Sequence, residues 1–355
     1  MKALPQLDLD HVLALTKEYW HRVDGKRIFI TGGTGFFGIW LLETFLHCIR
    51  NLRLNVEASV LCRNPQAFCG RLPHLAGEPA LRFVQGDVRN LAFPEGEFEY
   101  VIHAAAPSTS SEALDPHDLL STLVDGTRNV MALANARHAS RVLLVSSGAV
   151  YGPQPELLDH IPEDYRGGPD WLDPNAVYAE GKRIAEQICA LCARETGMQF
   201  RIARCFAFVG PHLPLDQHFA IGNFVGDALA GRSLVIRGDG TPMRSYLYAA
   251  DLAAWLWTLL LSDAQAEPRP IEVNVGSGEA VSICDLAQMV IDELNPNLEI
   301  EIARKPAPGV PRLQYVPDVS RAQAWFGLQQ RIGLREAIRR TANWHGRSST
   351  LKTTA

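Results

Sequence analysis

Three side chains have the types and spacing of a proton-transfer unit: Ser147, Tyr178 and Lys182. Tyr178 and Lys182 stand four residues apart in "YAEGK", near the start of a predicted helix, so both point from one helix face. Ser147 ends the predicted strand "RVLLVSS", which should lie beside that helix. A phenol has an ordinary pKa of about 10, but a nearby ammonium favours the phenolate and would lower that pKa. The sequence therefore predicts that Tyr178 transfers a proton, Lys182 holds and polarises Tyr178, and Ser147 orients the substrate oxygen.

A glycine-rich turn in "ITGGTGFFG" (30–38) follows a strand-like run and precedes a helical one. Glycine permits a tight turn and a close approach of the backbone to a pyrophosphate, and the helix N-terminus offers free N–H groups to the phosphates. We therefore predict a dinucleotide site at this turn. The turn residues predicted to bind the cofactor are Gly32, Thr34, Gly35, Phe36, Phe37 and Gly38.

The end of the second predicted strand indicates which dinucleotide binds. NAD sites place a carboxylate there to accept a hydrogen bond from the ribose 2′-hydroxyl. This chain has Cys62 and Arg63 there, and Glu57 lies too early in the strand. A guanidinium suits the 2′-phosphate of NADP. The sequence favours NADP(H), with a surface arginine beside an NAD(H) pocket as the alternative.

The elements that must position these residues follow an alternating pattern. Short apolar runs are separated by helical patterns, which indicates parallel strands covered on both faces by crossover helices. The fold class predicted is α/β, a Rossmann-type doubly wound parallel sheet with a smaller, mixed C-terminal substrate lobe. The predicted strands are 27–31, 57–61, 82–87, 100–105, 141–147, 200–205 and 272–276.

The organisation along the chain is predicted in four parts. An amphipathic helix occupies the N-terminal part, and loops rich in Gly, Pro and Asp begin after residue 210. The polar end of the chain predicts a disordered tail. The parts are an N-terminal helix (1–23), a dinucleotide-binding domain (24–210, with a return at about 246–275), a substrate lobe (211–245 and 276–345) and the tail (346–355).

The composition of the 355 residues excludes several classes of protein. The net charge of −5 gives no reason to expect nucleic acid as a partner. The sequence has no run of about 18 apolar residues that would span a membrane and no signal-peptide pattern. Seven cysteines lack the density of a disulfide scaffold, and the Cys189–Cys192 pair within a helical pattern predicts buried thiols rather than a metal site. A reducing, cytoplasmic location fits best.

These pieces together resemble an extended short-chain dehydrogenase/reductase of the nucleotide-sugar epimerase/dehydratase family over about residues 24–330. The matching segments are "TGGTGFFG", "GDVRN", "HAAA", "VSSGAVYG", "YAEGKR", "RCFAFVGP", "RSYLYAADLA" and "NVGSGE". The resemblance implies a nucleotide-diphosphate sugar as substrate and the Ser–Tyr–Lys roles given above. It also implies cofactor contacts by Asp87, Val88, Ala104 and Ala105, and substrate contacts by Ser146, Asn223, Arg244 and Arg312.

Departures from the family pattern narrow the expected reaction. Members that dehydrate a hexose carry an acidic pair after the catalytic Ser/Thr, and a decarboxylating relative carries a glutamate there. Here these positions are Gly148 and Ala149, so 4,6-dehydration is not expected. The family's asparagines are replaced by Ala207 and Leu123, which indicates a divergent branch. Asn223 is predicted either to compensate by touching sugar or phosphate or to cap a loop.

The chemistry that remains is hydride transfer at one sugar carbon, C4. The sequence favours a 4-keto-6-deoxysugar reductase that consumes NADPH, and it leaves open a 4-epimerase that retains NAD. A non-catalytic dinucleotide sensor is disfavoured by Tyr178 and Lys182, and a reductase of small carbonyls by "GDGTPMRSYLYAADLA". By resemblance, the helical patterns at 116–136 and 178–194 suggest a homodimer.

Overall fold

The structure is a computed structural model that describes residues 1–106, 115–217, 219–263, 270–307, 309 and 312–346. Its strands are β1 (Arg27–Thr31), β2 (Glu57–Cys62), β3 (Leu81–Gln85), β4 (Tyr100–His103), β5 (Arg141–Ser147), β6 (Gln199–Cys205), β7 (Phe208–Val209), β8 (Leu234–Ile236), β9 (Met243–Arg244), β10 (Leu247–Tyr248), β11 (Ile271–Val275), β12 (Val281–Ser282), β13 (Ile300–Ile302) and β14 (Gln314–Tyr315). Its helices are α1 (Gln6–Thr16), α2 (Phe36–Leu52), α3 (Pro65–Arg71), α4 (Pro116–Ala136), α5 (Val177–Thr196), α6 (Ala220–Leu229), α7 (Ala249–Leu261), α8 (Ile283–Leu294), α9 (Ser320–Phe326) and α10 (Leu334–Gly346).

The central sheet has seven parallel strands in the order β11-β6-β5-β4-β1-β2-β3. This order reverses direction at β1 and β4, as in a doubly wound sheet, and confirms the predicted α/β Rossmann-type fold. The strands agree with the predicted ones to within two residues at their ends; β4 ends at His103 instead of 105. In a parallel sheet the carboxyl ends of neighbouring strands share one edge, so the residues that follow β1, β4 and β5 meet there.

Helices cover both faces of this sheet because alternate strand residues point to opposite sides. In β1, Ile28 and Ile30 belong to a core shared with α1, α2 and α7, whereas Phe29 belongs to a second core shared with α4 and α5. Every residue of α7 is buried, which explains its almost entirely apolar sequence. The catalytic side chains predicted on β5 and α5 therefore lie on a rigid, two-sided scaffold.

The N-terminal helix α1 is fixed to the domain by buried polar contacts. Asp8 accepts hydrogen bonds from Tyr248 at 2.7 Å and Arg340 at 2.8 Å, and His11 lies 2.7 Å from Asp251. Burial raises the pKa of Asp8, while these two donors oppose that effect. The helix thus joins the central domain to α10.

The C-terminal part forms small sheets and helices above the carboxyl edge of the central sheet. Strands β12, β9 and β14 form one sheet, in which Arg244 pairs with both Val281 and Tyr315. Strands β13 and β8 form another. Gly346 ends α10, and the rest of the predicted disordered tail lies outside the described residues. Within the described ranges, no helix has the length and apolarity needed to cross a bilayer.

Candidate active site

The glycine turn brings β1, β4 and the start of α2 into close contact. Gly32 has a positive φ of 74°, and a Cβ there would lie 2.4 Å from the backbone carbonyl of Ala104. A Cβ on Gly38 would lie 2.3 Å from the carbonyl oxygen of Gly32. Only glycine fits either position, because backbone atoms cannot yield as a flexible side chain can. The turn therefore places Ala104 and Ala105 against the first glycine, where the resemblance implied a cofactor-lining stretch.

Gly35 differs from its two neighbours, since the nearest atom to a Cβ there is 3.7 Å away. Gly35 precedes α2 and is exposed, so its lack of a side chain leaves open the approach to the helix N-terminus. That geometry fits a pyrophosphate, which needs free N–H groups and no obstructing side chain. Thr34 is partly buried in this turn; Phe36 and Phe37 begin α2, and the Phe37 ring lies 5.0 Å from that of Phe208. The residues present therefore fit a dinucleotide.

A buried histidine holds the ends of β1 and β4 together below this turn. His103 lies 2.8 Å from the Thr31 hydroxyl and 3.0 Å from the Thr127 hydroxyl. Burial, aided by the charge of Lys182, lowers the pKa of His103 to about 3, so its imidazole is neutral at physiological pH. The neutral ring connects strand β4 to α4 and keeps the floor of the turn in place.

The carboxyl end of β2 has two arginines close by. Arg63 follows the strand and is exposed, and the Arg71 guanidinium of α3 donates to the carbonyl of Thr34 at 3.4 Å. Both guanidiniums act electrostatically on the Cys62 thiol, which places them at the same strand end. Glu57 is at the opposite end of β2, where it pairs with Arg27 at 3.0 Å. Sequence reasoning missed Arg71, because nothing in the α3 sequence marks its guanidinium as facing the glycine turn.

Asp87 and Val88 follow β3, and the side chains of both make contacts within the protein. Arg89 donates its backbone N–H and its guanidinium to the Asp87 carboxylate, at 2.9 to 3.1 Å, and these bonds lower the pKa of Asp87. Val88 is buried against Gly126 of α4. The Val88 side chain therefore packs in the core, and its backbone carbonyl accepts a hydrogen bond from Asn129 of α4.

Ser147, Tyr178 and Lys182 come together at the carboxyl end of β5. The Ser147 hydroxyl faces the Tyr178 phenol, where it acts to lower the pKa of that phenol, and it accepts the backbone N–H of Ala149 at 3.2 Å. The buried Lys182 ammonium donates to the carbonyl of Val145 at 2.7 Å and lies 5.9 Å from the centre of the Tyr178 ring. This is the arrangement that the spacing of the three residues predicted.

Burial has the largest effect on the pKa of Tyr178 in the protein alone. Burial raises the pKa of this phenol to about 12, although the Ser147 hydroxyl opposes the effect. Burial also lowers the pKa of Lys182 to about 8, so the ammonium releases its proton before the phenol does. At neutral pH both groups keep their protons. Tyr178 in this state is equipped to donate a proton to a substrate oxygen.

Ser146 does not join Ser147 in the site. Its buried hydroxyl donates to Glu186 at 2.6 Å, and Glu186 also accepts two guanidinium bonds from Arg204. The pleat of β5 turns consecutive side chains to opposite faces, which separates the two serines. The substrate contact implied for Ser146 is therefore replaced by a structural hydrogen bond.

The space beside the residue that follows the catalytic serine is filled by a tyrosine from a distant strand. A Cβ on Gly148 would lie 2.8 Å from the hydroxyl oxygen of Tyr315 and 2.7 Å from the Phe206 ring. The neighbouring Ser147 hydroxyl acts to lower the pKa of Tyr315, against the effect of burial. No sequence motif predicted that Tyr315 lies in this site. The one sequence feature that could have indicated it is the glycine at position 148, which leaves space for another side chain.

The candidate substrate residues lie on the C-terminal lobe. Arg244 is partly buried beside Tyr315 through the pairing of β9 and β14, and its guanidinium acts electrostatically on the Tyr315 phenol. Arg312 is exposed two residues before β14, and Asn223 is partly buried within α6. The structure thus brings Arg244 to the Tyr315 hydroxyl, and among the residues it describes it shows no contact that links Arg312 or Asn223 to the catalytic side chains.

This combination of a doubly wound sheet, a glycine turn and a Ser–Tyr–Lys cluster defines a dinucleotide-dependent class of α/β proteins. The chain belongs to the NAD dependent epimerase/dehydratase family, whose family model matches residues 28–276. The structural neighbours share the fold.

Three known proteins illustrate the similarity. The chain is 31% identical over 316 residues to UDP-glucuronic acid decarboxylase 6 of Arabidopsis thaliana, covering 88% of this chain and 86% of the relative. A structure of MoeE5 in complex with UDP-glucuronic acid and NAD is 25% identical, with a TM-score of 0.72, over 91% of this chain and 99% of the other. UDP-N-acetylglucosamine 4-epimerase from Methanobrevibacter ruminantium M1 shares the fold with a TM-score of 0.77 at 20% identity, over 91% and 99% of the two chains.

Proposed function

We propose that this protein transfers a hydride at C4 of a nucleotide-linked sugar, with Tyr178 as the proton donor and acceptor. The observation that carries the proposal is the placement of Tyr178 against Ser147 and beside a buried Lys182, at the sheet edge that also holds the glycine turn. The nucleotide sugar as substrate is supported by the names of the relatives, which include UDP-glucuronic acid decarboxylases and a UDP-N-acetylglucosamine 4-epimerase. Arg244 would meet the diphosphate, because a guanidinium matches phosphate oxygens.

The dinucleotide would lie with its pyrophosphate at Gly35 and the α2 N-terminus, and its nicotinamide would supply or accept the hydride. Reduction of a 4-keto sugar requires a proton for the resulting alkoxide. Tyr178 holds that proton at neutral pH, because burial raises its pKa to about 12. After donation, the Ser147 hydroxyl can donate to the phenolate oxygen. The protonated phenol therefore supports the reductive direction, in a 4-keto-6-deoxysugar reductase, over a 4-epimerase with retained NAD.

Decarboxylation is the reaction named for the curated relatives, and dehydration is named for some structural neighbours. At the two positions after Ser147, neither Gly148 nor Ala149 has a group that can exchange a proton. We therefore propose that the protein catalyses hydride transfer without decarboxylation or dehydration of the sugar. The test is a panel of nucleotide sugars incubated with NADPH or NADH and analysed for products. We expect 4-keto-6-deoxy sugars to be reduced with loss of cofactor absorbance, whereas release of carbon dioxide from UDP-glucuronic acid would contradict the proposal.

We further propose that the cofactor is NADP(H), held at its 2′-phosphate by Arg63 and Arg71. Both guanidiniums lie at the end of β2, where the paired Glu57 cannot reach a ribose hydroxyl. Replacing either arginine by alanine removes a charge-assisted contact, so we expect NADP⁺ affinity to fall about 10- to 100-fold and NAD⁺ affinity to change little. Isothermal titration calorimetry with both dinucleotides measures this difference. The matched control is Arg82→Ala, an exposed arginine of β3, and equal losses for the two cofactors would overturn the assignment.

Finally, we propose that two copies of this chain associate through α4 and α5. Leu120 of α4 and Ile184 and Leu191 of α5 are 36%, 38% and 41% exposed, and the two α5 residues are seven apart and so share one helix face. We expect the double variant Ile184→Glu, Leu191→Glu to convert a dimer into a monomer, because charged side chains would be buried at the interface. Light scattering after size-exclusion chromatography measures the mass. Leu157→Glu, at a loop leucine that is 97% exposed, is the control, and a monomeric parent protein would refute the proposal.

A further inference from the structure

Helix α5 carries two of the three catalytic side chains, and a third polar residue on the same face binds the helix to the sheet. Tyr178, Lys182 and Glu186 follow one another at intervals of four residues, so their side chains lie on one helix face. Lys182 donates to the carbonyl of Val145 at 2.7 Å, and Glu186 accepts from the hydroxyl of Ser146 at 2.6 Å. The two side chains thus bind consecutive residues of β5, directly before the catalytic serine.

The Glu186 carboxylate also has a charged partner on the next strand. Arg204 of β6 donates to both of its oxygens, from Nε at 3.0 and 3.2 Å and from Nη2 at 2.6 Å. Ser146 and Arg204 are paired across β5 and β6, so both side chains point to the face of the sheet that α5 covers. The side chains of Arg204 and Glu186 are only 15% and 12% exposed. Donors from two strands therefore fix the carboxylate in a site nearly closed to water.

The guanidinium of Arg204 extends from this carboxylate to the other side of the catalytic serine. Its Nη1 donates to the hydroxyl of Tyr151 at 3.0 Å and to the carbonyl of Glu163 at 3.1 Å. Tyr151 ends the short helical turn 148–151 that follows Ser147. The ion pair between Glu186 and Arg204 therefore connects the catalytic helix to residues on both sides of Ser147.

The ammonium of Lys182 needs a compensating charge because it is buried. A buried ammonium loses its hydration, which favours the neutral amine. Burial lowers the pKa of Lys182 to about 8, and the carboxylate of Glu186, one helical turn away, opposes this effect. The same carboxylate that binds α5 to β5 thus helps Lys182 to keep its proton.

The other ionisable groups around Lys182 and the ion pair are uncharged at neutral pH or lie beyond Arg204. Burial raises the pKa values of the surrounding phenols and thiols and lowers that of the imidazole, so they are neutral. These groups are Tyr178 and Cys189 of α5, Cys205 of β6, Tyr151 and His103 of β4. The carboxylate of Glu163 lies beyond Arg204, where it accepts the N–H of Asn274 at 2.9 Å.

We propose that Glu186 is a positioning residue for Lys182: its carboxylate, held by Ser146 and Arg204, fixes the catalytic face of α5 at the end of β5 and keeps the ammonium protonated. The proposal rests on the proton transfer by Tyr178 proposed above, because the charge of Lys182 acts there by stabilising the phenolate. Glu186 exchanges no proton with the substrate in this role, and it acts through Lys182.

The first test compares turnover at two pH values in Glu186→Gln. Glutamine has the same length and can still accept from Ser146, so the substitution removes the charge and keeps the packing. Lys182 should then lose its proton at lower pH, and we expect the ratio of turnover at pH 8.5 to turnover at pH 6.5 to fall about 3- to 10-fold. An unchanged ratio, at whatever level of turnover, would show that the carboxylate is only structural and would overturn the proposal.

A second variant breaks the same ion pair from the other side. Arg204→Gln removes the positive charge and leaves the negative charge of Glu186 near Lys182, so the ratio should equal that of the parent chain or exceed it. A fall as large as in Glu186→Gln would mean that the ratio follows the loss of the ion pair as a structural unit, which would refute the role. Glu195→Gln, at an exposed glutamate of the same helix, is the matched control and should leave the ratio unchanged.

A measurement without substrate separates this inference from the proposed function. The chain has six lysines, so protein labelled with carbon-13 at the lysine Cε atoms gives few NMR signals, and the signal missing from Lys182→Met reports the ionisation of Lys182. We expect Lys182 to lose its proton at lower pH in Glu186→Gln than in the parent chain, but not in Arg204→Gln. Identical titration in Glu186→Gln and the parent chain would contradict the inference, whereas the expected titration in a parent chain that turns over no nucleotide sugar would contradict only the proposed function.

Discussion

Replacing Tyr178 by phenylalanine is expected to lower turnover about 10²- to 10⁴-fold, the contribution of a positioned acid–base group. The phenol faces Ser147, and it keeps its proton because burial raises its pKa to about 12. Phenylalanine fills the same space and cannot donate that proton to the substrate. Initial rates with NADPH and a 4-keto sugar measure the effect, while dinucleotide affinity should stay within about 3-fold.

The same chemical change elsewhere in the protein provides the control. Tyr19 is a partly buried tyrosine between α1 and β1, in contact with Arg22 and remote from the carboxyl edge of the sheet. Tyr19→Phe should leave turnover unchanged. If Tyr178→Phe retains full activity while the control also does, proton transfer by Tyr178 is excluded and the enzymatic assignment loses its basis.

Replacing Lys182 by methionine is expected to lower turnover roughly 10- to 1,000-fold. The Lys182 ammonium lies 5.9 Å from the centre of the Tyr178 ring, and a positive charge beside a phenol favours its phenolate form. Without it, the phenolate formed after proton donation is less stable. Methionine suits the buried position, since it is apolar and of similar length. The assay belongs near pH 7, below the Lys182 pKa of about 8, where the parent chain carries the charge.

Lys17→Met controls for the loss of a lysine, because Lys17 is exposed at the end of α1. A change in thermal stability without a change in turnover would show that Lys182 is structural only. The hydrogen bond from Lys182 to the Val145 carbonyl makes some loss of stability expected in either case. The loss of turnover compared with the loss of thermal stability therefore distinguishes a catalytic role of Lys182 from a purely structural one.

The fold was predictable because its signals are local. Each strand of the central sheet is a short apolar run, and the glycine turn lies directly between β1 and α2. Tyr178 and Lys182 were predictable for the same reason, since four residues on one helix fix their relative direction. The sequence thus identified the residues whose relative positions are fixed within one helix, strand or turn.

The remaining features depend on contacts between distant segments or on burial. Tyr315 reaches Ser147 only because β14 pairs with β9, and Arg71 reaches the glycine turn only through the packing of α3. The resemblance implied a substrate contact for Ser146, whereas the pleat turns its hydroxyl toward Glu186. The raised pKa of Tyr178 could not be predicted, because the sequence shows a nearby lysine but not the burial of the phenol.

The central claim is tested most directly by following deuterium from the reduced cofactor into the sugar. The protein is incubated with NADPH carrying deuterium at the transferred position and with a nucleotide-linked 4-keto sugar, and the product is analysed by NMR. We predict one deuterium at C4 for each cofactor oxidised, and no label in product from Tyr178→Phe at matched times. A product without deuterium at C4, or one formed with release of carbon dioxide, would contradict the account.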